Sequence, residues 1–77
     1  MLQTSQPEHS MTKTEQRDAK TAANFARIDP RYAAATLSAA MRATRSQRSF
    51  VELVQVMNDL GLRDHMIVVN GVFVAAD

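Results

Sequence analysis

Four arginines in the middle of the chain have the residue type and the spacing of a docking surface. At about 100° per residue, Arg31, Arg42 and Arg45 fall on one side of a helix, and Arg48 follows closely. The guanidinium group is a planar fork that binds a carboxylate or a phosphate at two points. Tyr32 lies beside Arg31, and both residue types are enriched at interface hot spots. We therefore expect these five residues to bind a partner, with an ordinary solvated surface as the alternative.

The distribution of charge is compatible with two kinds of partner. The net charge is only +1, which by itself does not indicate nucleic acid. Residues 27–48 nevertheless carry five arginines against Asp29 alone, whereas residues 49–77 carry Arg63 against four acidic residues. The basic middle of the chain can meet either an acidic patch on a protein or a nucleic-acid backbone.

The residues that could perform catalysis are not arranged for it. No serine lies in the histidine or cysteine pattern of an activated nucleophile. Gly61 and Gly71 do not form a phosphate-binding loop, and Asp64-His65 is explained as a polar joint between elements. There is no cysteine, and His9 lies far from His65, so no metal-ligand spacing is present. We expect a protein that is not an enzyme and uses no cofactor or metal.

The C-terminal stretch is the clearest structural element. Residues 66–75 place two apolar runs around Asn70-Gly71, the dipeptide favoured by a type I′ hairpin turn. Alternation then makes both faces of the hairpin apolar, so both need cover. We expect helices on one side, and a second copy or a partner protein at the other side or at the open edge. The residues expected in a dimer contact are Val68, Val69, Val72, Phe73 and Val74.

Three helices are predicted before the hairpin. The capping box Thr12 to Glu15 begins the first helix, over residues 13–27. Phe25 and Ile28 are expected to dock this helix against the rest of the protein. Asp29-Pro30 caps and begins the second, over residues 30–44, whose buried side is mostly small. Met41, at the border of that side, is expected to make adaptable contacts with a partner.

The third helix is predicted over residues 50–60. Ser49 to Glu52 fits a second capping box, and Gly61 ends the helix with Leu62 closing back onto Met57. Its apolar residues cover more than half of the circumference, which indicates burial on more than one side.

The predicted fold is mainly α with a C-terminal β-hairpin, in the order α-α-α-β-β. It forms one small domain over residues 12–77, after a disordered tail over residues 1–11. A chain of 77 residues without disulfides commonly gains stability by oligomerisation, and we expect a homodimer. No apolar run approaches the roughly 18–20 residues of a membrane span, and the N-terminus lacks a secretory signal. The default location is the cytoplasm, or the host cytoplasm for a phage protein.

Two functions remain open. The first is a small non-catalytic regulator or inhibitor that covers a site on a larger, possibly acidic protein. Short cysteine-free chains of this kind are typical of phage or mobile-element proteins directed at host machinery such as a defence system. The alternative is a dimeric DNA-binding regulator that places the same arginines on phosphates, with the helix–turn–helix arrangement of helices two and three and the hairpin as a wing. The apolar third helix argues against it, because a recognition helix needs exposed polar residues.

Overall fold

The computed structural model describes residues 11–76, and in them three helices precede a two-stranded antiparallel hairpin. This is the predicted α-α-α-β-β order. The predicted tail lies outside the described residues except for Met11, which packs against the core. The elements are α1 (Lys13–Phe25), α2 (Pro30–Ala43), α3 (Gln47–Asp59), a 3-10 turn (Arg63–His65), β1 (Met66–Val69) and β2 (Val72–Ala75).

Helix α2 is the centre of the fold, because α1, α3 and β2 all pack against it. Its buried side carries Ala33, Leu37, Ala40 and Met41, as the helical pattern predicts, and none of them is more than 4% exposed. Met41 is therefore a core residue, and the prediction that it makes adaptable contacts with a partner is wrong. The remaining apolar side chains with almost no exposure are Ala22, Ala34, Leu53, Met57 and Leu62.

Helix α1 begins with the predicted capping box and packs on α2 through small side chains. Ala22 of α1 is fully buried, as are Ala33 and Ala34 of α2. The prediction that Ile28 docks α1 is wrong, because this side chain is 78% exposed. Phe25, which is 39% exposed, does contact α2 through the ring of Tyr32. Ile28 lies in the turn that follows α1, outside the alanine contact between the two helices.

Helix α3 begins three residues earlier than predicted. The N-cap is Ser46, whose Oγ accepts a hydrogen bond from the Ser49 N–H at 3.2 Å. Ser49 is not the N-cap: it lies inside the first turn and is 1% exposed. In sequence Ser49 is the stronger N-cap candidate, because Glu52 three residues later completes a capping box, whereas the residue three positions after Ser46 is a serine. The polar groups buried around Ser49 explain why it is used inside the helix.

The C-terminal end of α3 matches the prediction. Gly61 has a φ of 70°, the left-handed conformation that costs glycine least. Its N–H donates to the Asn58 carbonyl at 3.1 Å, and the Leu62 N–H donates to the Met57 carbonyl at 3.0 Å. This pair of hydrogen bonds is the Schellman arrangement, and it turns the chain sharply towards the hairpin.

The hairpin has the predicted register, and its two strands have different surroundings. Asn70 and Gly71 have φ values of 52° and 78°, as a type I′ turn requires. β2 packs against α2, and the Ser38 Oγ donates to the carbonyl of Phe73 at 3.0 Å. β1 is the outer strand. Its residues Ile67, Val68 and Val69 are 50%, 58% and 46% exposed. The observed pairs are Met66 with Ala75, Ile67 with Val74, Val68 with Phe73, and Val69 with Val72.

Candidate functional site

The structure divides the predicted arginine surface between the two ends of α2. Arg31 and Tyr32 lie in the first turn of α2, and Arg42 lies in its last turn. Arg42 lies eleven positions after Arg31 along the helix, a rise of roughly 16 Å. Arg45 follows in the connection to α3, and Arg48 lies in the first turn of α3. All five side chains are exposed.

Large apolar side chains are exposed at the N-terminal end of α2. We call this surface the elbow patch and define it by Phe25, Ile28 and Tyr32 together with Arg27 and Arg31. The rings of Phe25 and Tyr32 meet edge to face, with centroids 5.0 Å apart. Tyr32 is 49% exposed and Ile28, in the turn between the helices, is 78% exposed. The patch combines aromatic, aliphatic and arginine side chains, the composition found at the centre of protein interfaces.

The turn between α1 and α2, which we call the elbow turn, is stabilised by backbone hydrogen bonds and by the N-cap of α2. The Asp29 carboxylate accepts a hydrogen bond from the Tyr32 N–H at 3.1 Å, and Pro30 occupies the first helical position. The Asp29 N–H donates to the Phe25 carbonyl at 2.7 Å. These contacts fix the turn locally, so Ile28 is presented to solvent on a defined backbone. A pre-formed apolar surface loses little conformational entropy when it binds.

The opposite end of α2 presents polar side chains. We call the group Arg42, Arg45 and Arg48 the corner patch. Next to the corner patch, one side of α3 is exposed. The sequence prediction missed this side, because it began the helix at residue 50 instead of at Gln47. The residues exposed there are Gln47, Arg48, Val51, Gln55, Asn58 and Asp59. At 100° per residue they occupy one continuous strip, which is polar except for Val51.

Glu15 is the residue of greatest structural interest that the sequence did not single out beyond its capping box. It lies on α1, is 9% exposed, and its Oε1 accepts a hydrogen bond from the Thr12 N–H at 2.9 Å. Its carboxylate also accepts hydrogen bonds from the hydroxyls of Thr44 and Ser49. Those residues lie at the end of α2 and in the first turn of α3, so one carboxylate joins all three helices. We call Glu15 with Thr12, Thr44 and Ser49 the Glu15 network.

The Glu15 network favours the charged carboxylate. Burial raises the pKa of Glu15, but the hydrogen bond from the Thr12 N–H and those from the Thr44 and Ser49 hydroxyls together outweigh it. The pKa of Glu15 is therefore lower than its ordinary value of about 4.5. The N-termini of α1 and α3 also bring partial positive charge to this region. A capping box in the sequence gives no sign of this role, because the hydroxyls of Thr44 and Ser49 come from distant segments.

A groove of about 560 Å³ lies beside the Glu15 network, between the start of α1 and the end of α2. One wall consists of Ala39, Ala40 and Ala43, and Asp18 and Arg45 lie at its border. The groove exists because these alanines are too short to fill the space between the helices. Its polar groups are the hydroxyls and the carboxylate of a network that is already hydrogen-bonded, so its geometry does not identify a ligand.

The residues predicted for a dimer contact separate by strand. Val68 and Val69 of β1 are exposed, whereas Val72, Phe73 and Val74 of β2 are partly buried. Phe73 is used within the protomer: its ring lies 6.3 Å from that of Phe50, and the Arg63 guanidinium lies 5.6 Å from its centroid. The dimer contact itself stays a prediction.

The described part of the chain offers neither a metal-binding cluster nor a membrane-spanning helix. Residues 11–76 contain no group of three or more histidine, aspartate or glutamate side chains that could hold a metal ion. None of the three helices has the length and apolar character needed to cross a membrane.

Comparison with known proteins gives no match of any kind. No protein-family model, no curated protein and no solved structure is significantly similar to this chain. The functional proposal therefore depends on the surfaces of the molecule itself.

Proposed function

We propose that the protein is a small non-catalytic binding protein that regulates or inhibits a larger protein by covering a site on it. The observation that carries the proposal is the elbow patch. A domain this small has placed Phe25, Ile28 and Tyr32 at the surface of one well-formed turn, where Ile28 is 78% exposed. Clustered apolar side chains of this kind on a small domain mark an interaction site, whereas single scattered ones need no explanation.

The chemistry of the elbow patch describes the site that it would cover. Ile28 projects from a fixed turn and fits an apolar pocket, and the Phe25–Tyr32 pair supplies a rigid aromatic surface beside it. Arg27 and Arg31 flank these residues and favour carboxylates at the border of that pocket. The proposed target therefore has an apolar depression with an acidic border.

The corner patch has a different part in this proposal. Arg42, Arg45 and Arg48 lie about one helix length from the elbow, so they meet the edge of an acidic target rather than its pocket. Charges at the rim of an interface mainly raise the association rate, whereas buried apolar anchors mainly slow dissociation. The protein is further proposed to act as a homodimer in the cytoplasm, and to be phage- or mobile-element-encoded and directed at host machinery such as a defence system.

A second candidate function is binding of duplex DNA by a dimer. The observation that favours it is the exposed strip on α3, where Gln47, Arg48, Gln55 and Asn58 are available to read base edges. A connection of three residues joins α2 to α3, as in a helix–turn–helix, and the hairpin follows as a wing would. Asp59 and Val51 lie in the same strip, and the net charge is only +1, which makes this the weaker candidate.

One pair of variants separates the two functions. In the elbow variant, Ile28→Ser is combined with Tyr32→Ala; in the corner variant, Arg42→Glu is combined with Arg45→Glu. The wild-type protein is used to capture its target from extract of the native cell, and mass spectrometry identifies that target. The proposal expects the elbow variant to lose capture of the same target, and the corner variant to bind it with a slower association rate.

The DNA alternative is tested with the same three proteins in a mobility-shift assay at low salt. Phosphate contacts weaken steeply as salt rises, so the DNA hypothesis expects duplex binding that salt and the corner variant abolish and that the elbow variant leaves intact. Absence of duplex binding at low salt removes this candidate. Retention of the protein target by the elbow variant contradicts the leading proposal. Thermal unfolding of both variants must stay close to that of the wild type for either result to count.

A further inference from the structure

We propose that two copies of this chain associate through β1, which pairs antiparallel with β1 of the second copy about a two-fold axis at Val68. The pairing joins two hairpins into one four-stranded sheet. This inference rests on the homodimer included in the proposed function and specifies its contact. It does not depend on the elbow patch or on any target.

The outward edge of β1 has free backbone groups. In a two-residue hairpin the residues flanking the turn, Val69 and Val72, exchange hydrogen bonds, and such pairs alternate along the ladder. The hydrogen bond from the Ala76 N–H to the His65 carbonyl, at 2.8 Å, confirms this alternation. Val68 and Phe73 form a non-hydrogen-bonded pair between two such pairs, so the N–H and C=O of Val68 point away from β2. No hydrogen bond to either group is found within residues 11–76.

The other edge of the hairpin is already covered. Phe73, opposite Val68, points its carbonyl away from β1 in the same manner, and the Ser38 hydroxyl of α2 donates to it at 3.0 Å. Ser38 is 2% exposed, so α2 covers this edge at Phe73. The exposed β1 edge is therefore the side at which a further strand is proposed to join the sheet.

The pattern of exposure favours addition of a strand over stacking of two hairpins. Ile67 and Val69 point to one face of the hairpin and Val68 points to the other, yet all three are about half exposed. Exposure over residues 67–69 thus does not depend on the face, although Met66 at the start of β1 is only 8% exposed. A second hairpin stacked on the face that carries Ile67 and Val69 would cover those two residues. It would leave Val68, the most exposed of the three, in contact with water. A strand placed beside β1 covers the flanks of both faces.

A second copy fits this edge because the exposed segment is complementary to itself. With the axis at Val68, the two Val68 residues exchange N–H···O bonds, and Ile67 lies opposite Val69 of the second copy in both directions. Each exposed residue then meets only exposed residues. Residues 66–76 carry no charge, so pairing brings no like charges together. β1 also lacks the charged residue or proline with which proteins commonly protect an open edge.

Sedimentation of the full chain over a range of concentrations tests the association. We expect the wild type to form a dimer, and Val68→Lys, which places two ammonium groups opposite each other, to weaken self-association by at least about tenfold. Val72→Lys is the matched control: Val72 lies on β2, away from the proposed edge, and the change should alter self-association by less than about threefold. A wild type that stays monomeric overturns the proposal. Greater sensitivity to Val72→Lys than to Val68→Lys also overturns it and indicates stacked hairpins.

Disulfide cross-linking tests the register and does not depend on the folding of the lysine variants. The chain has no cysteine, so single cysteines report only on the pairing tested. Ile67→Cys and Val69→Cys proteins are oxidised separately and as a mixture. We expect the mixture to give a cross-link between the two different variants, because these residues form the close, non-hydrogen-bonded pair across the axis. Predominant self-cross-linking of Ile67→Cys, or no cross-link in the mixture, overturns the proposed register. Neither result bears on capture of a target through the elbow patch.

Discussion

The two ends of α2 differ in how their polar and apolar groups are used. At the C-terminal end, the carboxylate of Glu15 accepts hydrogen bonds from Thr12, Thr44 and Ser49, so one buried side chain connects the three helices. At the N-terminal end, Phe25 and Tyr32 contact each other while Ile28 faces solvent. A partner could cover the second end without disturbing the first. The proposed function therefore assigns stability and binding to different ends of one helix.

The largest expected effect comes from removing the buried carboxylate. Glu15→Ala removes the acceptor of the Thr12 N–H and of the Thr44 and Ser49 hydroxyls, and it leaves the buried Ser49 hydroxyl without this partner. Such losses typically destabilise a protein by about 2–4 kcal/mol in total. Urea denaturation followed by circular dichroism measures the change in the free energy of unfolding. A loss below about 0.5 kcal/mol, the range of ordinary surface substitutions, would show that the Glu15 network does not hold the helices together.

The pH dependence of stability should report the same carboxylate. The pKa of Glu15 is lowered in the folded protein, so its contribution is fully present above its unfolded-state pKa, near 4.5. That contribution is lost as the pH falls through the lower folded-state value. We expect the free energy of unfolding of the wild type to fall more steeply below about pH 4.5 than that of Glu15→Gln, which cannot ionise. Parallel acid profiles for the two proteins would contradict the assigned protonation.

A smaller loss is expected at the start of α3, next to the same network. Ser46→Ala removes the N-cap acceptor of the Ser49 N–H and should cost about 1 kcal/mol. Thr14→Ala is the control, since Thr14 is an exposed residue in the first turn of α1 and should change stability by less than about 0.5 kcal/mol. Equal effects of the two substitutions, measured by thermal unfolding, would place the start of α3 elsewhere.

The smallest effect on stability is expected at the elbow. Ile28→Ser changes a side chain that is 78% exposed and lies outside the core, so the free energy of unfolding should move by less than about 0.5 kcal/mol. Thermal unfolding measured beside Glu15→Ala gives the contrast directly. A loss at Ile28 as large as that at Glu15 would remove the distinction between the two ends.

How far the sequence predicts this molecule depends on the range of the interactions involved. The hairpin register, the Gly61 termination and the Asp29-Pro30 start were predictable, because local turn and cap chemistry decides each of them. The start of α3 was not, because the local capping-box pattern favours Ser49, whereas the structure buries Ser49 beside Glu15 and uses Ser46 as the N-cap. The exposure of Ile28 depends on its place in the turn that follows α1, outside the alanine contact between the two helices. The division of the arginine surface depends on helix length and on the turn that follows.

The most direct test of the central claim is the affinity of the elbow variant for the captured target, measured by isothermal titration calorimetry. If the elbow patch is the binding surface, combining Ile28→Ser with Tyr32→Ala should weaken binding by at least about 100-fold, the effect expected of hot-spot residues. The unfolding midpoint should stay near that of the wild type. An affinity within about threefold of the wild-type value, well below a hot-spot effect, would show that this surface is not where the target binds.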